Sequence, residues 1–131
     1  MDPAENLRPG MTGSQQTVVT RDITVAHFHP EMPEVYGTPF LIYLIEVAAS
    51  NAIREHLPKG WISVGYEVHV KHLAPTPVGR TVTATARLDS IDGRFVKFSV
   101  EAHDGVAQIS TGTHVRALVD RSRFNKNLGA T

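Results

Sequence analysis

Residues 38–57, with the sequence TPFLIYLIEVAASNAIREHL, constrain the fold of this chain more than any other stretch. Within them, residues 40–49 place apolar or near-apolar side chains on every side of a helix rather than along one stripe. A helix of that kind must be enclosed by other structure. Thr38 at the predicted N-cap and Pro39 at the first helical position mark its start, and Pro58 marks its end. The sequence therefore predicts one long central helix.

A single carboxylate interrupts the apolar part of this helix. Glu46 lies in the middle, and the helix offers it no basic partner at helical spacing. A carboxylate in an enclosed helix needs a partner on another element, or it is kept there for chemistry. Glu46 is thus a candidate catalytic residue, and the alternative is a structural glutamate bonded to a buried tyrosine or a backbone group.

The length of 131 residues indicates a single domain over residues 1–131, with a core large enough to fold without covalent staples. Residues 1–13 are rich in proline, glycine and polar side chains, and residues 124–131 are polar and basic. We expect both ends to be loosely ordered tails.

Composition excludes several kinds of function. Lysine plus arginine and aspartate plus glutamate number 13 each, so the charge does not favour nucleic acid or an anionic membrane as a partner. The chain has no cysteine, and its seven histidines show no metal-ligand spacing, so no metal site is expected. The N-terminus lacks the apolar core of a signal peptide, and no apolar run reaches membrane-spanning length. These features predict a cytoplasmic protein.

The remainder of the chain is typical of β-strands. Two short β-leaning runs precede the helix, and four longer runs with alternating apolar residues follow it. The predicted strands are residues 17–20, 23–28, 61–73, 80–91, 94–103 and 106–119. Such a sheet has one apolar face to cover, and the helix is the only apolar object available. We therefore expect an α+β fold, with an antiparallel sheet of about five strands wrapped around the central helix.

Two residues of the first long strand are further candidates. Uninterrupted alternation over residues 61–73 places one set of apolar side chains on one face: Ile62, Val64, Tyr66, Val68 and Val70. His72 then lies on this face against the helix, where a carboxylate can orient an imidazole, and a satisfied core histidine is the alternative. Gly65 interrupts the strand. A bulge or close packing explains it, and so does a backbone N–H that approaches a developing oxyanion.

Several motifs of the chain resemble one family. They are TPFLIYLIEVAA in the helix, VGYEVHVKHLAPTPVGRTVT, SIDGR, SVEAHDGVAQISTGTHVRA and RFN near the C-terminus. Over residues 17–126 the chain resembles the hotdog-fold acyl-CoA thioesterases, and within them the fluoroacetyl-CoA thioesterase-like group. The resemblance implies a hotdog fold and a homodimer, in which two sheets join edge to edge, the long helices pack together and the active site lies at the subunit interface.

The resemblance also assigns roles to individual residues. It implies Thr38, Glu46 and His72 as the catalytic residues, and it matches Gly65 to the family's site glycine and Arg116 to a family arginine on the last strand. Gly65 and Arg116 are therefore the candidate oxyanion and substrate-binding residues. From the sequence alone, Thr38 is also explained as a helix N-cap. Arg116 either contacts a CoA phosphate or merely decorates the sheet.

Two other segments bear on the substrate. The fluoroacetyl-specific members carry lid phenylalanines in the loop before the helix, whereas residues 29–36 form a shorter loop with Met32 and Val35. The resemblance therefore implies thioester hydrolysis without implying selectivity for fluoroacetyl. The predicted basic cluster for the nucleotide end of CoA consists of Arg121, Arg123 and Lys126.

The resulting hypothesis is an acyl-CoA thioesterase that hydrolyses a small acyl group. It needs no cofactor besides the coenzyme A of its substrate, and no nucleic acid or membrane partner. His72, oriented by Glu46, acts as a base toward Thr38 or water, and a Glu46 nucleophile that forms an anhydride is the mechanistic alternative. Two other functions stay open. One is a hotdog hydratase or dehydratase, although no distinct Asp and His pairing of that type is visible, and the other is a non-catalytic acyl-CoA-binding domain.

Overall fold

The computed structural model describes residues 1–129, in which a five-stranded antiparallel sheet curls around one long helix. The strands are β1 (Thr12–Val18), β2 (Trp61–His72), β3 (Thr81–Asp92), β4 (Phe95–His103) and β5 (Gln108–Asp120), and the helices are α1 (Thr38–Ile53) and α2 (Arg121–Gly129). The strand order is β1-β3-β4-β5-β2, so β1 and β2 form the two edges. The predicted α+β arrangement is confirmed.

Helix α1 is enclosed, as its composition predicts. It packs mainly on β1 and β3, and its buried side chains join those of β3 and β4 in one core. The buried residues of α1 are Leu41, Leu44, Ile45, Ala48, Ala49, Ala52 and Ile53. Each large aliphatic side chain that is fully buried contributes about 1.5–3 kcal/mol, so this contact holds the helix in place.

The first turn of α1 differs from the prediction by one residue. Gly37 is the N-cap in an extended conformation, and the Leu41 N–H donates to its carbonyl oxygen at 3.1 Å. Thr38 is the first helical residue, and its hydroxyl makes no capping hydrogen bond. The predicted N-cap role of Thr38 is therefore wrong. The regular helix ends at Ile53 and is followed by a 3₁₀ turn over Arg54–His56.

Strand β2 contains a β-bulge that its alternating sequence conceals. Its pairing with β5 shifts between Gly65 and Glu67, which leaves Tyr66 as the extra residue. Gly65 pairs with buried Arg116 on the face toward α1. Because side chains alternate along a strand, the insertion of Tyr66 reverses the phase of the residues that follow it.

The predicted single apolar face of β2 is consequently wrong for its first half. Ile62 and Val64 lie on the outer face of the sheet, and the side chain of Tyr66 is 65% exposed beside the ring of Phe95. After the bulge the prediction is correct, since the inward residues of that half are Val68, Val70 and His72.

The two Asp-Gly pairs form the turns after β3 and β4, as predicted. Gly93 and Gly105 have φ angles of +60° and +87°, a region that glycine enters without steric cost. The buried carboxylate of Asp104 accepts hydrogen bonds from the N–H groups of Val106 and Ala107 and from the side chains of Thr76 and Arg80. Burial acts to raise the pKa of Asp104, but these hydrogen bonds lower it to about 2. The carboxylate thus ties the β4–β5 turn to the loop that follows β2.

The N-terminal segment is more ordered than predicted. β1 lies almost entirely before the predicted run at 17–20, and residues 23–28 contain a 3₁₀ turn over Val25–His27 instead of a strand. Ala4 and Leu7 are buried in the core, so the first 13 residues are not a loose arm. Their apolar side chains cover the core, which the polar composition of the segment obscured.

The C-terminal segment forms α2, and none of its described side chains is buried. Residues 130 and 131, the end of the predicted tail, lie outside the described residues. Within residues 1–129, no helix is both long enough and apolar enough to cross a membrane.

Candidate active site

Thr38 and His72 meet at the N-terminal end of α1. The Oγ1 atom of Thr38 lies 2.8 Å from Nδ1 of His72. Thr38 is the first residue of α1 and His72 is the last residue of β2, so the contact depends on how the strand packs beside the helix. The bond directs the hydroxyl at a ring nitrogen that can accept its proton.

The surroundings of His72 favour a neutral imidazole. Burial lowers its pKa from the ordinary value, and the nearby backbone of Ala74 acts against this change. The Nε2 atom is buried without a hydrogen-bond partner among residues 1–129, as is the hydroxyl of Ser110 opposite it in the β2–β5 ladder. A neutral imidazole directed at a hydroxyl is suited to general base catalysis.

Glu46 approaches the inner face of β2 at Gly65. A Cβ atom on residue 65 would overlap Oε2 of Glu46 and lie 3.2 Å from its Cδ. The carboxylate can therefore occupy this position only because residue 65 has no side chain. Both structural explanations of Gly65, a bulge and close packing against the helix, are confirmed. Its role at an oxyanion stays a prediction.

Arg116 is the basic partner that the sequence of α1 does not reveal. Its Nη1 lies 3.5 Å from Oε2 and 3.4 Å from the backbone oxygen of Glu46. Its Nε donates to the hydroxyl of Ser63 at 2.8 Å, and its Nη2 donates to the Ser63 carbonyl at 3.0 Å. The alternative of Glu46 bonded to a tyrosine or to the backbone is replaced by this ion pair.

The ion pair is placed mostly inside the protein. The side chain of Arg116 is 8% exposed and that of Glu46 is 34% exposed. Burial lowers the pKa of Arg116, and the adjacent Glu46 carboxylate acts in the opposite direction. A guanidinium so enclosed does not decorate the sheet surface, so that interpretation of Arg116 is wrong. Its substrate-binding role stays a prediction.

Sequence reasoning missed His114, which completes this group. Its Nδ1 lies 2.8 Å from the carbonyl oxygen of Glu67, its Nε2 lies 3.3 Å from Nη1 of Arg116, and the ring stacks on Phe98. The residue is 1% exposed. Its position two residues before Arg116 on β5 was the available signal, because both side chains must then point to the same face.

The predicted catalytic residues thus form two separate groups within one chain. Thr38 bonds to His72, whereas Glu46 bonds to Arg116, and no described hydrogen bond joins the two groups. Thr38 and Glu46 are eight positions apart on one helix, which corresponds to about 12 Å along its axis. The predicted orientation of His72 by Glu46 is therefore absent from the described part of a single chain.

An apolar groove of about 570 Å³ lies beside the first turn of α1. Its walls include Phe28, Met32 and Phe40, and it reaches Gly37 and Pro39 on either side of Thr38. Met32 is 46% exposed and Phe28 is 71% exposed. The groove therefore offers apolar space next to the candidate hydroxyl. Residues 1–129 contain no group of histidine, aspartate and glutamate side chains that could hold a metal ion.

Comparison with known proteins identifies the family. A family model described as "FlK: Fluoroacetyl-CoA-specific thioesterase" matches residues 19–122. The fluoroacetyl-CoA thioesterase of Streptantibioticus cattleyicolor is 40% identical over 127 residues, which cover 92% of this chain and 91% of that protein. The chain belongs to the fluoroacetyl-CoA thioesterase family. The resemblance stated from the sequence is confirmed.

Solved structures of the fluoroacetyl-CoA thioesterase FlK share the fold of this chain. One has a TM-score of 0.89 at 38% identity, covering 97% of this chain and 98% of the other. A variant of FlK in complex with fluoroacetate and CoA has a TM-score of 0.83 at 40% identity, with coverage of 90% and 99%. A thioesterase superfamily member from Thermus thermophilus has a TM-score of 0.88 at 26% identity, with coverage of 96% and 93%. The predicted hotdog fold is confirmed.

Proposed function

We propose that this member of the fluoroacetyl-CoA thioesterase family hydrolyses the thioester of a small acyl-CoA with Thr38, Glu46 and His72. The observation that carries the proposal is the 2.8 Å contact between the Thr38 hydroxyl and Nδ1 of a partly buried imidazole. The enzyme class is that of the family, so the sequence-based prediction of a thioester hydrolase is confirmed.

In the proposed reaction, Nδ1 of His72 accepts the proton of the Thr38 hydroxyl as its oxygen attacks the thioester carbonyl. The C–S bond then breaks, and His72 returns the proton to the leaving CoA thiolate. Water hydrolyses the resulting ester of Thr38, or attacks the thioester directly in place of the hydroxyl. The positive end of the α1 dipole lies beside Thr38 and favours the developing negative charge, and the subunit that contributes Glu46 also contributes the N–H of its Gly65. No cofactor takes part.

Glu46 acts, in this proposal, on a substrate bound between two subunits. Within one chain it is bonded to Arg116 and separated from Thr38 by about 12 Å of helix. A homodimer places Glu46 of one protomer opposite Thr38 and His72 of its partner. This arrangement is the predicted interface site, and it explains why one chain holds two separate halves.

The test of the activity is CoA thiol release from a panel of acyl-CoAs, ranging from acetyl and fluoroacetyl to phenylacetyl and medium-chain groups. We expect turnover of at least one member, and losses of about 100-fold or more in kcat for Glu46→Gln and His72→Ala. The matched controls are Glu55→Gln and His56→Ala, which change the same residue types in an exposed turn. The larger acyl groups are included because the groove beside Thr38 is apolar.

The alternative of a non-catalytic binding domain predicts a different result. Acyl-CoA would then raise the melting temperature without release of thiol, and Glu46→Gln would not alter that shift. A hydratase would consume an enoyl-CoA without releasing thiol. Either outcome overturns the proposal.

A hybrid dimer tests the interface site. Thr38→Ala and Glu46→Gln chains are unfolded together and refolded as a mixture. If each site combines Thr38 of one protomer with Glu46 of its partner, half of the dimers are hybrids with one intact site, and about a quarter of wild-type activity returns. If each site lies within one chain, no activity returns above that of the separate variants.

Isotopic labelling separates the two possible nucleophiles. A single turnover in ¹⁸O water leaves label in the Glu46 carboxylate if an anhydride of Glu46 forms and water attacks its glutamyl carbonyl. We expect no label in Glu46, because its carboxylate is bound by Arg116. Mass spectrometry of the Glu46 peptide provides the measurement.

A further inference from the structure

The hydrogen bonds of His114 determine which of its nitrogens carries the proton. Nδ1 lies 2.8 Å from the carbonyl oxygen of Glu67, which can only accept, so Nδ1 must carry a hydrogen. Nε2 lies 3.3 Å from Nη1 of Arg116, which can only donate, so Nε2 must offer its lone pair. The arrangement therefore requires a neutral ring protonated at Nδ1.

The lone pair on Nε2 of His114 determines how the Nη1 hydrogens of Arg116 are shared between their acceptors. Nη1 of a guanidinium carries two hydrogens, and here it faces Nε2 of His114 on one side and Glu46 on the other. Nε and Nη2 are both occupied by Ser63. With the other nitrogens fixed in this way, His114 leaves one Nη1 hydrogen directed at Glu46.

The same ring is attached to the bulge of β2. The carbonyl oxygen that accepts from Nδ1 belongs to Glu67, the residue at which the pairing with β5 resumes after Tyr66. This bulge places both Gly65 and His72 on the inner face of the sheet. His114 therefore contacts both the guanidinium beside Glu46 and the backbone feature that directs His72 inward.

We infer that His114 is a positioning residue for the active site, which holds Glu46 in place through Arg116 and secures the bulge through Glu67. It does so as a neutral, acceptor-bearing ring. The inference rests on the proposed role of Glu46. It assigns His114 no contact with substrate.

The groups around the ring agree with this assignment. Arg116 and Glu46 are the charged side chains that face it, Glu67 presents only its carbonyl, and β4 contributes the apolar ring of Phe98. Burial lowers the pKa of His114, and Arg116 lowers it further, whereas the bond to Glu67 and the charge of Glu46 act in the opposite direction. A second proton on Nε2 would point at Nη1 of Arg116 and break the arrangement.

Two substitutions separate the two bonds. In His114→Asn, the amide nitrogen lies near the position of Nδ1, so the donor to Glu67 is kept and the acceptor for Arg116 is lost. In His114→Gln, the longer side chain can place its oxygen near Nε2, so the acceptor is kept. Both variants lack the ring that stacks on Phe98, so the loss of packing is similar in the two and they differ mainly in the acceptor.

We expect His114→Asn to lower kcat for thiol release by about 10- to 100-fold with little change in KM, and His114→Gln to retain several times more activity. The control is His103→Asn on β4, whose side chain is 55% exposed. The inference would be overturned if the two variants lost kcat equally and in proportion to their decrease in melting temperature. A His114→Asn enzyme with wild-type kcat would also overturn it.

Nuclear magnetic resonance tests the same assignment without depending on activity. In ¹⁵N-labelled wild type, we expect Nδ1 of His114 protonated and Nε2 unprotonated from pH 8 to below the ordinary imidazole pKa of about 6.5. We also expect the ¹³Cδ signal of Glu46 to shift in His114→Asn and much less in His114→Gln. The inference is rejected if the ring is protonated at Nε2, or if the ¹³Cδ signal of Glu46 is unchanged in both variants. Both results can be obtained even if no thioester is cleaved. Normal activity in Glu46→Gln would instead reject the role of Glu46 on which it rests.

Discussion

The two halves of the candidate site are built in opposite ways. Thr38 and His72 are joined by one hydrogen bond at the start of a helix, and the Thr38 hydroxyl has no capping role. Glu46 belongs to a buried group in which Arg116 also bonds to Ser63 and His114. The first half is free to exchange a proton, whereas the second holds a fixed charge. Substitutions in the first half should therefore affect mainly activity, and those in the second should affect stability near neutral pH as well.

The largest expected effect is that of Thr38→Val. It removes the hydroxyl that faces His72 but keeps a side chain of similar shape, so kcat should fall by about 100-fold or more. The free energy of unfolding should change by no more than about 0.5 kcal/mol, because no capping bond is lost. Thr38→Ser is the matched control and should retain most of the activity. A large stability loss in Thr38→Val, measured by urea denaturation, would contradict the described first turn.

A pair of glycine substitutions comes next. Gly65→Ala pushes against the flexible carboxylate of Glu46, so we expect a loss of about 100-fold in kcat with modest destabilisation. Gly13→Ala instead overlaps backbone atoms of Ala48 and Ala52 in α1, which cannot move aside cheaply. It should reduce stability far more than Gly65→Ala. Kinetics and thermal unfolding of both variants provide the measurement. A Gly65→Ala protein that loses stability but keeps the wild-type kcat would show that Gly65 serves only packing.

Removal of Arg116 should cost stability as well as activity. Arg116→Met leaves Glu46 and Ser63 without their shared donor, and we expect the free energy of unfolding to fall by about 1–3 kcal/mol. Adding Glu46→Gln should recover part of this loss, since the unpaired charge is then gone. A double-mutant cycle in urea gives the coupling. Strict additivity would mean that Glu46 and Arg116 do not stabilise each other.

The smallest effect concerns pH. His72 and His114 both have a lowered pKa in the folded protein, so below about pH 6.5 the unfolded chain binds more protons than the folded one. Stability should therefore decrease as pH falls from about 6.5 toward their folded values. Melting temperatures at several pH values should show this decrease, and His72→Gln or His114→Gln should weaken it. The control His103→Gln, at an exposed position, should leave the slope unchanged.

The sequence predicted those parts of the molecule that local patterns determine. An all-round apolar helix must be central, and Asp-Gly pairs between alternating runs predict the hairpins of β3, β4 and β5. The N-cap was misplaced because Gly37 and Thr38 are both acceptable there, and the use of the Thr38 hydroxyl by His72 decides between them. That contact spans 34 residues of sequence and has no local signature.

The partner of Glu46 could not be predicted for a related reason. Arg116 lies 70 positions further along the chain, and its charge is consistent with either face of β5 until the register of the sheet is known. The bulge at Tyr66 was hidden because β2 alternates in sequence across it. The role of His114 could not be predicted either, because it depends on contacts with Glu67 and Arg116 that only the folded sheet brings together.

The bulge has a consequence at the level of the gene. Because Tyr66 is the residue inserted into β2, deletion of its single codon would restore regular pairing with β5, in which Val68, Val70 and His72 keep their β5 partners and the inner face. A substitution at Tyr66 would change only an exposed side chain. A homologous gene one codon shorter here would instead encode a similar sheet with the same inward residues but without the bulge.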